Sequence, residues 1–439
     1  MTKTITVTQN LELLGKYRYV EIQMMELMGS WAYTIVESEI KIGFGRQMYQ
    51  DAVHADMLGK RLPELKGRSE HFHYIAPSDA FVKLLEKIWQ AHDSLRRMVA
   101  LYRVLKPALV AAYEYHLAHA ELPADEPTAY ILRNILDEER DHYEWGETII
   151  NTLVTSPDLP QGSPQINEKR SADILSAGET GRMPALRFPT GNEALAAQWQ
   201  QELENDLREA GGIRGEGKAP GTISFKKTHP HSKRPARDSR WKIIENDSEF
   251  TEKNWSFDND DGKCHLLHDL LNSEFITVER MGRILADCPE IPWQMKMDMA
   301  HQAWDEARHA EIVQRRLEEL GGHVGMFRTS CFGWEQDVNR PDPLERLALS
   351  NMTFESESCK HLRDWIAKAK KAGDTRSVQL LEFLLADEVN HVLYGTHWVD
   401  ELTKNDPDRR KRVLAYPEKV LHEHHPVGVK FEETTYERA

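Results

Sequence analysis

The sequence predicts an all-α protein built as two tandem four-helix bundles joined by a Pro/Gly-rich linker. Three observations lead there. Two separate stretches carry helical periodicity, a stretch of different composition lies between them, and three segments recur in the same order in both halves.

From about Leu11 to Thr155, apolar residues recur at three- and four-residue spacing, as in Tyr19-Ile22-Met25, Val53-Met57 and Leu101-Leu105-Leu109. That is the period of an amphipathic helix, and little here alternates as a strand would. The first bundle is therefore placed at residues 1–155. Residues 156–262 are rich in Pro, Gly, Ser and Lys and read as a linker, with one helix near Asn192–Glu209 stopped by Gly211-Gly212. Its basic run (Lys226, Lys227, Lys233, Arg234, Arg237, Arg240, Lys242) reads as solvated connector. The helical pattern returns over 263–405, the second bundle. Residues 406–439, with His422, His424 and His425, read as a surface tail.

The two halves align. Tyr49-Gln50-Asp51-Ala52-Val53-His54 lies over Trp304-Asp305-Glu306-Ala307-Arg308-His309. Leu136-Asp137-Glu138-Glu139-Arg140-Asp141-His142, running on to Gly146, lies over Leu385-Ala386-Asp387-Glu388-Val389-Asn390-His391, running on to Gly395. Val20-Glu21 lies over Ser273-Glu274, and Glu26 over Glu279. Each match is weak alone; their common order makes a duplicated module the better reading.

The chemistry lies in these repeats. Glu306 and His309 are three apart, so on a helix both side chains leave one face, and Glu388 and His391 repeat the arrangement. A Glu-x-x-His pair from each of two helices, with a Glu from each of two others, is the ligand set of a dinuclear metal site in a helical bundle. Carboxylates suit hard cations and can bridge two of them, and imidazole adds a neutral nitrogen to each. The single carboxylates follow from height, because residues facing each other on antiparallel helices lie equally far from the turn. That rule pairs Glu274 with Glu306, Glu355 with Glu388, Glu21 with Asp51, and Glu114 with Glu139. The expected sites are Glu21, Asp51, His54, Glu114, Glu139 and His142 in the first half, and Glu274, Glu306, His309, Glu355, Glu388 and His391 in the second. Glu26, Glu279 and Glu357 stay open as alternatives. Asp51 is the ligand position where the halves differ, and its shorter side chain is expected to weaken the first site. Glu70-His71-Phe72-His73 reads as a chance match, and His116 and His119 as surface or supporting groups.

With these residues in place, the pattern resembles the ferritin-like di-iron superfamily, which includes rubrerythrins and bacterial di-iron oxygenases. Residues 233–402 are similar to a largely uncharacterised bacterial ferritin-like family in Arg234-Pro235-Ala236-Arg237, paired Glu274 and Glu279, Asp305–Ala310, Leu347-Ala348 leading to Glu355, and Asp387–His391. The resemblance implies two tandem ferritin-like four-helix bundles and iron (Fe) as cofactor, two di-iron centres in all, with manganese (Mn) compatible at one position. It implies an O2-dependent oxidase or oxygenase that hydroxylates, desaturates or N-oxygenates a small-molecule substrate, supplied by an external electron donor. The catalytic set would be Glu274, Glu306, His309, Glu355, Glu388 and His391. The alternatives are an iron-handling ferroxidase or peroxidase-like protein, or a scaffold with one structural bundle.

Composition narrows the class. A formal net charge of -15 excludes a general nucleic-acid or anionic-membrane binder. No apolar run reaches a membrane span or forms a secretion signal. Cys264, Cys288, Cys331 and Cys359 lack CxxC spacing and read as reduced thiols, so the cytoplasm is the expected compartment. A homodimer is compatible with the reading. Trp145, Trp304 and Trp398, near the ligand helices, read first as packing groups.

Overall fold

The computed structural model describes residues 4–66, 74–155, 191–227, 229–244 and 255–424. It is all-α. Its helices are α1 (Val7–Ala32), α2 (Ser38–Lys66), α3 (Asp79–Trp89), α4 (Ser94–Val99), α5 (Lys106–His119), α6 (Glu126–Thr155), α7 (Gly191–Glu209), α8 (Asp260–Asp287), α9 (Trp293–Glu319), α10 (Trp334–Val338), α11 (Pro343–Leu349), α12 (Glu355–Ala372), α13 (Thr375–Thr403) and α14 (Pro407–His424). Two π-helical segments, Ala100–Leu105 and Ser350–Phe354, join α4 to α5 and α11 to α12. Among the described residues the strands are β1 (Lys242–Ile243) and β2 (Arg328–Thr329), paired in parallel.

Local chemistry sets the helix ends. Thr6 and Gln9 close a capping box on α1, and Ser78, Asp93, Asp342 and Asp374 cap α3, α4, α11 and α13 through their side-chain oxygens. Gly373 ends α12 at φ 72°, a left-handed conformation that glycine adopts without steric cost.

The chain forms two compact units. Unit 1 takes the described residues between Met1 and His229, with Ala236–Ser239 and Leu285–Trp304; unit 2 takes Pro230–Pro235, Arg240–Ile284 and those from Asp305 onward. Helix α7 falls where the sequence placed a helix in the linker, and it packs within unit 1, where Trp199 donates to the Arg96 carbonyl and Lys87 pairs with Asp206. Residues 285–304, expected in the second bundle, also belong to unit 1. Their anchors are Trp293 donating to Asp56, Lys296 paired with Glu26, and Trp304 stacked on Tyr49.

Two other stretches differ from expectation. Residues 407–424 are not a surface tail: they form α14, with Val413, Tyr416 and Val420 buried, the last two clustered with Leu349 of α11. Its Tyr416 hydroxyl donates to the Gln336 carbonyl, and His422 is exposed. Lys227 of the basic run is not a solvated connector but pairs with buried Glu26. Glu70-His71-Phe72-His73, His425 and the stretches 156–190 and 245–254 lie outside the described residues. The four cysteines are free, and no helix among the described residues is long and apolar enough to cross a membrane.

Candidate metal centres

Helix α1 is buried on every side from Leu14 to Ala32, so each charged side chain it carries needs a partner. Lys16 donates to Glu12 and to the Arg214 carbonyl. Arg18 donates to the Ala55 carbonyl and lies over the Trp293 ring. Glu26 is held by Lys227 and Lys296; burial opposes its charge, but the two ammonium groups outweigh it and hold the carboxyl below its usual range. Glu21 is different. One of its oxygens accepts from the Tyr113 hydroxyl at 2.6 Å, and the other is buried with no hydrogen-bond partner.

Glu21 belongs to a cluster. Glu21, Asp51, His54 and Glu139 each offer a ligand atom, all within 4.8 Å of one another, and all four residues are buried. Asp51 Oδ2 and His54 Nδ1 also lack hydrogen-bond partners. His54 Nδ1 lies 3.4 Å from Glu21 and 3.5 Å from Glu139, while its Nε2 faces Glu138 at 3.2 Å.

Unit 2 repeats this and extends it. Glu274, Glu306, His309 and Glu388 form one buried group, and Glu306, Glu355, Glu388 and His391 form a second. Glu306 and Glu388 belong to both. His309 Nδ1 approaches Glu274, Glu306 and Glu388 at 3.4, 3.5 and 3.6 Å, and His391 Nδ1 approaches Glu306 and Glu388 at 3.2 and 3.0 Å. The far nitrogen of each ring meets a carboxylate: His309 Nε2 lies 3.0 Å from Asp387 and His391 Nε2 lies 3.2 Å from Asp305. Such partners fix the tautomer and aim the other nitrogen into the cluster. In unit 1, Glu138 and Gln50 take the same places beside His54 and His142. These supporting residues immediately precede cluster residues in the sequence, and adjacency alone did not mark them.

Crowding so many carboxyls in a buried space splits their behaviour. Burial drives Glu274 and Glu355 well above the usual carboxylate range, and the neighbours Glu306 and Glu388 respectively add to it. Burial also opposes the charge of Glu306, but His391 and His309 outweigh it and hold that carboxyl well below the range. Both imidazoles are raised well above their ordinary value, because Asp387, Glu274 and Glu306 around His309, and Glu306 and Glu388 around His391, overcome burial. Protons thus stand in for cations here. The donor set suits divalent metal ions, which would displace those protons and be met by His309 Nδ1, a buried nitrogen with no hydrogen-bond partner.

The sequence-derived sets are brought together with one exception. All six unit 2 residues assemble, and in unit 1 so do Glu21, Asp51, His54 and Glu139, with His142 Nδ1 3.7 Å from Asp51 and 3.3 Å from Glu139. Glu114 does not join them: its half-exposed side chain pairs with Arg140 at 3.0 Å. The facing position is taken by fully buried Lys106, whose Nζ lies 3.0 Å from Asp51 and 2.9 Å from Glu139. The loop between His119 and Glu126 puts the true turn nearer α5 than the expected one, so Lys106, not Glu114, is level with Glu139. Lys106 and Glu139 are separated by 33 residues, as are Glu355 and Glu388. Each of Lys106 and Glu355 is also the first residue after a π-helical segment, a rare geometry that often marks functional sites.

The alternatives fall outside the clusters. Glu26 is occupied by its lysines, Glu279 is buried but not grouped with the others, and Glu357 pairs with Lys360. His116 is buried against the Tyr17 ring, and His119 stacks on Tyr115. Trp145 packs edge-on to Tyr102, and Trp398 is buried.

A family model described as Protein of unknown function (DUF455) matches residues 190–439. The chain belongs to this family. The DUF455 match spans every residue of the unit 2 cluster and none of the unit 1 cluster. An uncharacterized protein of Haemophilus influenzae is 28% identical over 160 residues, covering 34% of this chain and 54% of that protein. The chain thus spans about half the length of that relative. No solved structure matches.

Proposed function

We propose that unit 2 holds a dinuclear iron centre of the ferritin-like kind, and that the protein is an O2-dependent oxidoreductase acting on a small organic substrate. One observation carries the reading: two four-residue ligand groups share Glu306 and Glu388, so these carboxylates are placed to bridge two cations. Glu274 and His309 complete one end, and Glu355 and His391 the other. The carboxylates outnumber the imidazoles, which favours hard first-row divalent ions, iron and manganese among them. Bound iron would supply one-electron redox chemistry and O2 reduction.

The chain's own part is to hold and to exclude. Asp387 and Asp305 orient the two imidazoles. Arg308 bridges Asp387 and Asp305, tying these two supports together across α9 and α13. Burial of all six ligands keeps bulk water from the centre, which strengthens every electrostatic contact inside it.

The test is O2 uptake by protein loaded with Fe(II) without air and then supplied with ascorbate as reductant. Uptake should continue past the amount of iron loaded and fall to the protein-free background in Glu306→Ala and His391→Ala, with helical circular dichroism retained. Uptake that stops when the loaded Fe(II) is consumed would leave iron oxidation alone. Sustained uptake in both variants would remove the chemistry from unit 2.

A further inference from the structure

The two clusters are built on one plan, and Lys106 breaks it. In unit 2 the second ligand group is Glu306, Glu355, Glu388 and His391. The matching residues of unit 1 are Asp51, Lys106, Glu139 and His142. There the Lys106 Nζ lies 3.0 Å from Asp51 Oδ1, 2.9 and 3.2 Å from the Glu139 oxygens and 3.0 Å from His142 Nδ1. A cation in that position would meet these same atoms. The side chain is fully buried and reaches the cluster from the first residue after the π-helical segment.

We infer that the Lys106 ammonium permanently fills one of the two cation positions of unit 1, leaving a site for a single divalent ion between Glu21, Asp51, His54 and Glu139. The remaining donors point to that ion. Glu21 Oε2, Asp51 Oδ2 and His54 Nδ1 are buried and without hydrogen-bond partners, and all three residues belong to the group. Charge agrees with geometry. The carboxylates of Glu274, Glu306, Glu355 and Glu388 balance two divalent cations, whereas those of Glu21, Asp51 and Glu139, set against one ammonium, balance one. A single ion with a fixed ammonium at its side cannot bridge O2 between two metals, so unit 1 does not repeat the dinuclear chemistry proposed for unit 2. The inference rests only on reading these clusters as cation sites; it does not depend on the reaction assigned to unit 2.

The experiment is a count of Mn(II) bound by the full chain after chelation, reloading and desalting, read by elemental analysis and by electron paramagnetic resonance. The wild type should bind three ions per chain: an exchange-coupled pair and an isolated ion. His54→Ala should remove the isolated ion and keep the pair, whereas Glu306→Ala with His391→Ala should remove the pair and keep the isolated ion. Lys106→Glu should add one ion and convert the isolated signal into a second coupled pair. If Lys106→Glu does not fold, the first three counts still decide. A second coupled pair in the wild type would overturn the inference, and so would a count that His54→Ala leaves unchanged. Loss of the pair alone from the wild-type count would contradict the unit 2 centre and leave the inference standing.

Discussion

Removing metal should make stability fall as pH rises through neutrality, and the structure sets the size of the effect. In the metal-free fold His309 and His391 are held protonated well above their ordinary range by the carboxylates around them. In the unfolded chain each loses its proton near its ordinary value of 6.5. Above that pH the folded state binds more protons than the unfolded state, so stability present below it is lost as pH rises. The slope is about 1.4 kcal/mol per pH unit for each retained proton. Each imidazole is already half deprotonated in the unfolded chain at pH 6.5, so the two together cost unit 2 about 2 kcal/mol between pH 6.5 and 7.5. Glu274 and Glu355, also raised, act with the same sign. Glu306, held low, acts with the opposite sign, but its contribution is complete above its unfolded value near 4.5 and is lost only in acid. In unit 1, His54 follows the first pattern. His142, which burial and then Lys106 push down to about 4, opposes folding only below the unfolded value of 6.5. Thermal melts of chelated and Mn(II)-loaded protein at pH 6, 7 and 8 measure this. The chelated protein should lose several degrees per unit, and the loaded protein, whose protons the metal has displaced, should not. A chelated melting temperature that is flat or rises over this range would refute the reasoning.

Other expected outcomes are more local. Asp305→Asn removes the carboxylate behind His391 while leaving every direct ligand, so metal affinity in unit 2 should fall about 10–100-fold. Competition with a chromophoric chelator measures this, and unchanged affinity would strip Asp305 of that role. Gly146 and Gly395 let α6 and α13 touch the rods they cross: an added Cβ would lie 2.0 Å from Tyr102 Cγ and 2.5 Å from Asn351 Cβ. Gly146→Ala and Gly395→Ala should each cost about 1–3 kcal/mol through overpacking, visible in chemical denaturation, and neutral substitutions would mean the helices move apart freely.

The all-α class and the Glu306–His309 and Glu388–His391 pairs are legible in the sequence because they rest on local periodicity, whereas Glu274 and Glu355 needed the positions of the turns. A Glu-x-x-His spacing puts two donors on one helix face whatever the tertiary structure does. Lys106 was hidden for two reasons. The dipeptides Tyr113-Glu114 and Phe354-Glu355 invite a match that places a carboxylate at the missing position, and a lysine is the residue a search for metal ligands passes over. The constant 33-residue separation from Glu139 and Glu388 is the signal that singles it out. The π-helical segments leave no mark in composition, and the helical turn at residues 285–304 joins unit 1 through Trp293, Lys296 and Trp304, whose partners lie far away in the chain.

The central claim, a dinuclear centre in unit 2, meets its most direct test in a crystal structure of the iron-loaded protein with anomalous data at the iron edge. The account predicts two peaks in unit 2, one among Glu274, Glu306, His309 and Glu388 and the other among Glu306, Glu355, Glu388 and His391. A single peak there, or none beside fully ordered ligands, would contradict it.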